Sequence, residues 1–306
     1  MTHDRPLVGI TLMLGFCILA PVGDAVAKIL GQTIPIGQLV TVRFAVQAIV
    51  LVPLVVLTGR IWRMRGRVLW LTFFRTVLHI LGIGAMVTAL KYLPLADAIA
   101  IAFVMPFMML ILARYVLNEE VGNRRIIACA VGFAGTLLVV QPSFAEVGWP
   151  ALLPVFVAAN FALFMLVTRQ IAKDTDPIGL QAVSGVMALG IMLPLIWLFQ
   201  DGEIAQLTMV KPTGFELVLL LSIGLLGTFA HLLMTWSLRY APSATLAPMQ
   251  YLEIPFAAAL GFFIFGDWPN PLAAVGILII MAAGLYVVMR ERAIARQSPV
   301  AIQPAE

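Results

Sequence analysis

Residues 90–94 read LKYLP, and residues 238–242 read LRYAP. Each stretch closes one long apolar segment and opens the next, so the same motif marks the same kind of boundary twice. Further matches between the two halves lie on both sides of this motif. They pair residues 117–119 (LNE) with 265–267 (FGD), 35–37 with 177–179 (both PIG), Pro53 with Pro194, and Pro106 with Pro255. The sequence therefore predicts a chain built from two copies of one pattern of apolar segments.

The composition places most of the chain in lipid. Of its 306 residues, 62% are hydrophobic and only 11% are charged, with a mean hydropathy of +1.03. A soluble domain carries about 25% charged residues, because it must cover itself with a wetted surface. The net charge of +4 comes from Lys and Arg in short loops, so we predict lipid contact and no nucleic-acid binding. Cys17 and Cys129 lie inside apolar runs and indicate neither a disulfide framework nor a metal site.

Ten segments are long and apolar enough to cross a bilayer, which takes about 20 residues. They define an all-α membrane protein of ten transmembrane helices. The first five form a repeat over residues 1–145, the second five form a repeat over 146–290, and residues 291–306 are predicted to be a disordered cytoplasmic tail. The predicted spans are 8–30, 36–58, 68–90, 94–117, 124–141, 149–169, 178–199, 214–238, 243–265 and 270–289.

The Lys and Arg residues predict the orientation. With the N-terminus in the cytoplasm, most of them fall in inner segments, above all the four arginines of residues 59–67, whereas Lys28, Lys91 and Lys211 fall outside. Both termini are then cytoplasmic, and this arrangement requires an even number of spans. Five spans per repeat is an odd number, so the two repeats are inverted. Inverted repeats with proline-broken spans are typical of secondary transporters, whose solute site lies near the bilayer midplane.

Ionisable groups inside spans are costly and mark candidate function. Glu253 is the carboxylate nearest the midplane, where it would receive a cationic or hydrogen-bonding group of the solute or carry a coupling proton; a structural, paired Glu is the alternative. His79 and His231 are deep as well, either as solute ligands or as neutral histidines bonded to a neighbouring helix. The remaining candidates for substrate binding are Gln250, Tyr251, Asn160, Gln47, Trp236 and Arg75.

Two further pairs have predicted roles. Asp24 and Arg43 lie at similar depth in adjacent spans and are interpreted as a structural or gating ion pair. Pro106 and Pro255 interrupt helical hydrogen bonding inside equivalent spans and predict kinks. The chain lacks a Walker A pattern, a nucleophile elbow, an HExxH motif and a haem motif, so we predict no enzyme activity, no cofactor and no metal.

These residues together resemble one family, the ten-helix EamA-type branch of the drug/metabolite transporter superfamily. The resemblance covers residues 8 to 290 and depends on Asp24 with Lys28, Pro35 with Arg43, Arg75 with Gly82, the stretch ALKYLPLADA at 89–98, Pro106, Glu119-Glu120, Gly132 with Gly135, and in the second half Tyr240, Pro242, Pro255 and Asp267. It implies two inverted five-helix repeats around a central cavity and a bacterial inner-membrane location.

The function predicted from the repeat and the resemblance is secondary transport of a small polar or zwitterionic metabolite by alternating access. A vitamin, a nucleoside-like or an amino-acid-like solute fits, and the stretch at 89–98 is most similar to uptake carriers of the riboflavin and S-adenosylmethionine type. Export of amino acids, metallophores or toxic amphiphiles is the alternative within transport, and a membrane-embedded lipid-modifying enzyme is the alternative from another class. A homodimer is compatible with the sequence.

Overall fold

The computed structural model describes residues 5–119, 121–140, 148–199, 204–266 and 271–297, and every regular element in these ranges is helical. The helices of the first half are α1 (Pro6–Leu30), α2 (Ile36–Leu57), α3 (Gly66–Leu90), α4 (Leu95–Ala102), α5 (Met105–Tyr115) and α6 (Asn123–Val140). Those of the second half are α7 (Leu153–Ile171), α8 (Pro177–Leu198), α9 (Gly214–Tyr240), α10 (Ser243–Leu246), α11 (Glu253–Leu260) and α12 (Pro271–Gln297).

Short irregular helices complete the second half. A 3₁₀ turn at Trp149–Leu152 leads into α7, and another at Ala205–Leu207 precedes α9. α9 begins with a capping box, in which the Thr213 hydroxyl accepts from the Glu216 amide and the Glu216 carboxylate accepts from the Thr213 amide. α8 begins at a proline that follows Asp176, whose carboxylate accepts from two backbone amides of the first turn.

Seven described segments are long and apolar enough to span a membrane, namely α1, α2, α3, α7, α8, α9 and the segment Ser243–Phe265. Three shorter apolar helical stretches accompany them, at Met105–Tyr115, Ile126–Gly135 and Ala274–Ala283. The chain is thus a multi-pass membrane protein.

The segments that contain Pro106 and Pro255 are both interrupted, whereas α1, α2 and α8 continue through their internal prolines, Pro21, Pro53 and Pro194. In the first half the helix stops after α4 and restarts at Met105, directly before Pro106, which cannot donate a backbone hydrogen bond. In the second half α10 passes into a 3₁₀ turn (Ala247–Leu252), then α11, which holds Pro255 near its start, then a π-helical turn (Gly261–Phe265). Irregular backbone at membrane depth is tolerated where protein or a cavity surrounds it.

One sequence expectation needs correction. The last helix runs to Gln297, so residues 291–297 are helical and not part of a disordered tail. The physical reason is local: residues 291–297 (ERAIARQ) are good helix formers, and the first helix breaker comes later, at Pro299. Residues 298–306, also predicted as disordered, lie outside the described residues.

Helix packing follows the duplication. The most extensive pairings are α1 with α9, α3 with α7, α2 with α8, and α6 with α12. Exchanging the two halves converts the first pairing into the second and leaves the other two unchanged. Helices that correspond by sequence therefore have corresponding neighbours. The broken segments pack between these pairs, α4 against α6 and α7, and α11 against α1 and α4, which brings both interruptions to the centre of the bundle.

A candidate substrate-binding cavity

A cavity lies at the centre of the bundle, lined by α1, α2, α3, α7, α9 and both broken segments. Its lining residues fall within 16–27 on α1 and within 78–87 on α3, the second half of each helix. On α7 they fall within 157–161, near the helix start. These stretches all point to one end of the bundle, the end that carries the loop at 31–35. The cavity therefore occupies the middle and one half of the bundle.

Among the described residues, three charged side chains line this cavity: Asp24, Arg43 and Glu253. Glu253 is 9% exposed and begins α11, just after the 3₁₀ turn, so the break in this segment brings the carboxylate to the cavity wall. Arg43 is 8% exposed, and its guanidinium lies against Gly227 of α9. A side chain at Gly227 would meet Nε of Arg43 at 2.5 Å, so the close approach of α2 and α9 here depends on a glycine.

Asp24 and Arg43 share the cavity wall but do not form the direct ion pair that the sequence suggested. The ion pairs of the described residues do not include one between Asp24 and Arg43. Instead Nη2 of Arg43 lies 3.3 Å from Nδ1 of His231, and Nδ1 of His231 lies 2.9 Å from the carbonyl oxygen of Gly227. Nδ1 cannot accept from Arg43 and donate to Gly227 at once, so one of the two contacts is not a hydrogen bond. The two charges stay available to a solute.

Aromatic rings form a second part of the wall. The rings of His79 and His231 are in contact, with centroids 4.2 Å apart and planes tilted by 37°, although the two residues belong to different repeats. Phe16 and Phe161 are nearly parallel at 6.1 Å, and both contact the His231 ring edge to face. Both ring nitrogens of His79 are buried without a hydrogen-bond partner. A solute with a planar ring and hydrogen-bonding edges would match these surfaces.

Arg75 lies below this wall, outside the cavity. Its side chain is completely buried, Nε donates to the Thr168 hydroxyl at 2.8 Å, and Nη1 donates to the Ser184 hydroxyl at 3.0 Å. The guanidinium carbon is 4.4 Å from the centroid of the Phe164 ring. Phe164 in turn contacts His79, with ring centroids 4.8 Å apart, so one phenyl ring separates Arg75 from the cavity.

Polar contacts close the bundle at the end opposite the cavity. Arg169 and Glu119 form an ion pair at 3.0 Å, with side chains only 10% and 12% exposed. Arg169 also donates to the carbonyl of Leu238 at 2.5 Å, and Glu119 accepts from the amide of Ala244 at 3.0 Å. We call the ion pair of Arg169 and Glu119 the closing pair. Together with these two hydrogen bonds it joins α7, α9, the loop after α5 and α10.

Further contacts support the closing pair. The hydroxyl of Ser237 donates to the Gly9 carbonyl at 2.7 Å and so ties α9 to α1. Arg239 donates to the Thr175 carbonyl at 2.8 Å. More peripherally, Arg60 pairs with Asp176 at 2.9 Å, and this pair is more exposed to solvent. The end that carries these contacts is closed, while the cavity occupies the other half.

Besides Arg75, five predicted binding residues lie away from the cavity. Asn160 donates to the carbonyl of Leu78 at 2.7 Å and fixes α7 against α3. Gln47 donates to the backbone of Gln181 at 2.7 Å, and Gln181 bonds onward to α9. Trp236 is partly buried against an apolar cluster of α2, α8 and α9. These three groups hold helices together in this conformation.

Gln250 and Tyr251, which precede Glu253 in the sequence, also direct their side chains away from the cavity. The hydroxyl of Tyr251 donates to the carbonyl of Cys129 at 3.2 Å, so the ring packs against α6. Gln250 directs its amide nitrogen to the sulfur of Met165 at 3.1 Å, while its carbonyl oxygen is buried without a partner. Of the predicted set, the structure brings Glu253, His79, His231, Asp24 and Arg43 together.

Sequence reasoning missed several residues of this region. Arg169 is counted as a loop cation by its position after an apolar run, and Glu119 is only a motif residue, yet they meet in the closing pair. A local signal for it was present at Asn118, where a φ of +52° turns the chain after α5, a conformation that Asn tolerates. Phe16, Phe161 and Phe164 carry no sequence signal, because phenylalanine is ordinary on a lipid-facing surface.

The cavity offers charge and ring surfaces for binding rather than a reactive arrangement. Within the described residues, no group of three or more His, Cys, Asp or Glu side chains is placed to hold a metal ion.

Comparison with known proteins agrees with this interpretation. A family model described as the EamA-like transporter family matches residues 7–141 and again residues 148–290. The chain belongs to the EamA-like transporter family. This membership makes it a transporter rather than an enzyme.

Several transporters are similar along most of their length. An S-adenosylmethionine uptake transporter of Rickettsia prowazekii is 25% identical over 286 residues, covering 94% of each chain. A riboflavin transporter of Rhizobium johnstonii is 31% identical over 228 residues, covering 74% of this chain and 73% of the relative. A solved crystal structure superposes with a TM-score of 0.73 at 16% identity, covering 94% of this chain and 98% of the other, and shows the same fold.

Proposed function

We propose that this protein is an uptake carrier for an organic metabolite that combines a planar ring with a positively charged group. The observation that carries the proposal is the cavity wall, where the charged side chains that the structure describes are two carboxylates, Asp24 and Glu253, and one guanidinium, that of Arg43. A cationic group of the solute would compensate the negative charge of these carboxylates, which lie at membrane depth and are poorly solvated by water. The rings of Phe16 and Phe161 would stack on its planar part.

S-adenosylmethionine has this chemistry and is the first substrate to test. It carries a sulfonium and an ammonium group, a carboxylate and a purine ring. A relative in Rickettsia prowazekii that covers 94% of this chain is named as its uptake transporter, which supports the choice. Riboflavin is the second candidate, because a relative at 31% identity is named a riboflavin transporter and because an uncharged planar ring would also stack on the phenyl wall.

The proposed architecture is ten transmembrane helices in two inverted repeats, residues 1–145 and 146–290. Seven long apolar helices together with three shorter apolar stretches support the number ten. Inversion is supported by the helix pairings, which are preserved when the halves are exchanged. Two such halves can rock around one central site and face either side in turn, which is alternating access.

The proposed orientation has both termini in the cytoplasm of a cell whose inner membrane holds the protein. The excess of Lys and Arg at the loops 59–67 and 122–125 supports it, because cytoplasmic loops carry such an excess. The closing pair then lies on the cytoplasmic side and the cavity on the outer side. The conformation described above is accordingly the one in which the cavity is directed outward, ready to receive solute.

The test is uptake by purified protein in proteoliposomes. Radiolabelled S-adenosylmethionine and riboflavin are supplied separately, and influx is compared with efflux from preloaded vesicles. We expect influx of S-adenosylmethionine. The variants Glu253→Gln and Asp24→Asn should each raise the apparent Michaelis constant about 10- to 100-fold, because a hydrogen bond to a charged group contributes about 1.5–3 kcal/mol.

Glu216→Gln is the matched control, since it also converts a glutamate to its amide but lies at the exposed start of α9 and keeps the capping box. It should transport like the parent protein. Uptake of riboflavin alone, at a rate that neither cavity substitution changes, would reject the cationic solute. Net efflux of either compound without influx would reject the proposed direction.

A further inference from the structure

Arg75 is a charged group in the middle of the bundle, and no described residue forms an ion pair with it. It is completely buried, and the two hydrogen bonds that it donates go to the neutral hydroxyls of Thr168 and Ser184. Nη2 has no hydrogen-bond partner. A buried charge left in this way costs several kcal/mol, so its presence calls for a compensating function.

Neighbouring side chains hold the guanidinium of Arg75 in one orientation. The Thr168 hydroxyl donates to the Phe164 carbonyl at 2.7 Å, which leaves its lone pairs directed at Nε of Arg75. Phe164 covers one face of the guanidinium at 4.4 Å. The side chain is thus fixed by two hydroxyls and one ring, and the edge with the unpartnered Nη2 is left for a ligand. A planar fork of this kind suits an oxyanion such as a carboxylate or phosphate.

The position of Arg75 separates it from the outward cavity. It lies one helical turn before His79 on α3, on the side of the closing pair. Phe164 stands between Arg75 and the two histidine rings that form the cavity wall. A solute in the cavity therefore meets Asp24, Glu253 and Arg43 but not Arg75.

We propose that Arg75, Thr168 and Ser184 form a second binding site, which receives an oxyanion group of the solute once the closing pair opens. The solute then exchanges one set of contacts for another as it moves inward: its cation is held at the outer carboxylates first, and its carboxylate or phosphate reaches Arg75 afterwards. The rings of Phe164, His79 and His231 form the barrier between the two sites. This inference rests on the proposed transport function.

The first experiment needs no transported substrate. A polar, membrane-impermeant phenylglyoxal derivative, which modifies accessible arginines, is applied to right-side-out and inside-out vesicles, and modified peptides are identified by mass spectrometry. We expect Arg75 to react from the cytoplasmic face only, and acetate or inorganic phosphate to slow that reaction at least threefold relative to chloride. Protection by one anion and not the other identifies the preferred oxyanion. Arg60, which lies at the exposed periphery of the same end, reports that the reagent works.

The second experiment uses S-adenosylmethionine and its decarboxylated analogue as probes in proteoliposomes. Arg75→Gln should reduce uptake of S-adenosylmethionine about tenfold or more and leave uptake of the decarboxylated analogue within twofold. Arg75→Lys, which keeps the charge but not the fork, should fall between. Equilibrium binding from the outer face should be unchanged. Arg114→Gln, at an exposed arginine of α5, is the matched control and should transport both probes normally.

The outcomes separate the two proposals. Failure of the unmodified protein to transport either probe rejects the substrate class, and the labelling experiment alone then decides on Arg75. Equal loss of both probes in Arg75→Gln means that the residue is structural and rejects the second site. The second site is likewise rejected when Arg75 reacts from neither face while Arg60 is modified, or when neither anion slows its reaction.

Discussion

The closing pair provides the sharpest test of how this carrier moves. The perturbation is Glu119→Gln, which keeps the shape of the side chain and removes its charge. In the structure the carboxylate joins two segments, since Oε1 lies 3.0 Å from Nε of Arg169 and Oε2 accepts from the amide of Ala244 at 3.0 Å. The substitution removes the charge that faces Arg169 at this position, and Arg169 keeps its bond to the Leu238 carbonyl.

The magnitude follows from burial. Removing one partner of a fully buried ion pair costs roughly 3–5 kcal/mol. This pair retains 10% and 12% exposure, and Arg169 keeps a carbonyl partner, so we expect about 2–3 kcal/mol. If the pair breaks when this end of the bundle opens, that energy is lost from the closed state alone. Since about 1.4 kcal/mol corresponds to tenfold, the ratio of open to closed protein should rise roughly 30- to 150-fold.

The assay measures opening directly. Ser237 is buried at the closed end, so a cysteine placed there by Ser237→Cys reacts with a membrane-impermeant maleimide only while that end is open. The background protein carries alanine in place of the buried Cys17 and Cys129. The labelling rate from the cytoplasmic face should then rise in proportion to the open population, by the factor given above.

Arg60→Gln is the matched control. It breaks the Arg60–Asp176 pair at the same end, where the arginine side chain is 40% exposed, and it leaves the Asp176 cap of α8 intact. An exposed pair of this kind contributes less than about 1 kcal/mol, so labelling should change by less than fivefold. Equal labelling rates in Glu119→Gln and Arg60→Gln would refute the role of the closing pair.

Three further predictions concern the cavity and its supports. Gly227→Ala should reduce transport at least tenfold with little loss of thermal stability, because the added methyl group meets the flexible end of Arg43 and displaces its guanidinium from the wall; uptake kinetics and a melting curve check this. His79→Phe keeps a ring in contact with His231 and removes two unpartnered nitrogens, so the Michaelis constant should rise about 2- to 10-fold, and an unchanged constant would show that His79 only packs. Tyr251→Phe deletes the hydrogen bond to Cys129 and should lower the unfolding free energy by about 1 kcal/mol in a detergent denaturation series while leaving the Michaelis constant unaltered.

The sequence shows where a helix loses a backbone donor, because that loss is local to the proline, but it does not show whether the helix breaks there. Helical order is interrupted next to Pro106 and Pro255, whereas α2 continues through Pro53. The depth of Glu253 also followed from counting residues along an apolar run. Its arrival at a cavity wall did not, because that depends on the 3₁₀ turn at Ala247–Leu252, which the sequence pattern does not reveal.

The predicted binding set divides for a related reason. Glu253, His79 and His231 face the cavity, whereas Gln47 and Tyr251 bond to neighbouring helices in this conformation. All five are polar groups at depth and look alike by hydropathy. A helix that is apolar on every side gives no periodic signal for the face that meets protein, since lipid tails are as apolar as a neighbouring leucine.

The amino-acid sequence alone indicated that most of the chain lies in lipid, that its pattern of apolar segments is duplicated, and that Lys and Arg are concentrated in certain loops. Each of these features follows from residues close together in the chain. Only the tertiary structure decided which polar groups meet. His79 and His231, whose rings are in contact, come from different repeats, and the closing pair joins residues that are 50 positions apart. Such contacts arise when helices pack, and packing fixes rotations about helix axes that hydropathy leaves free.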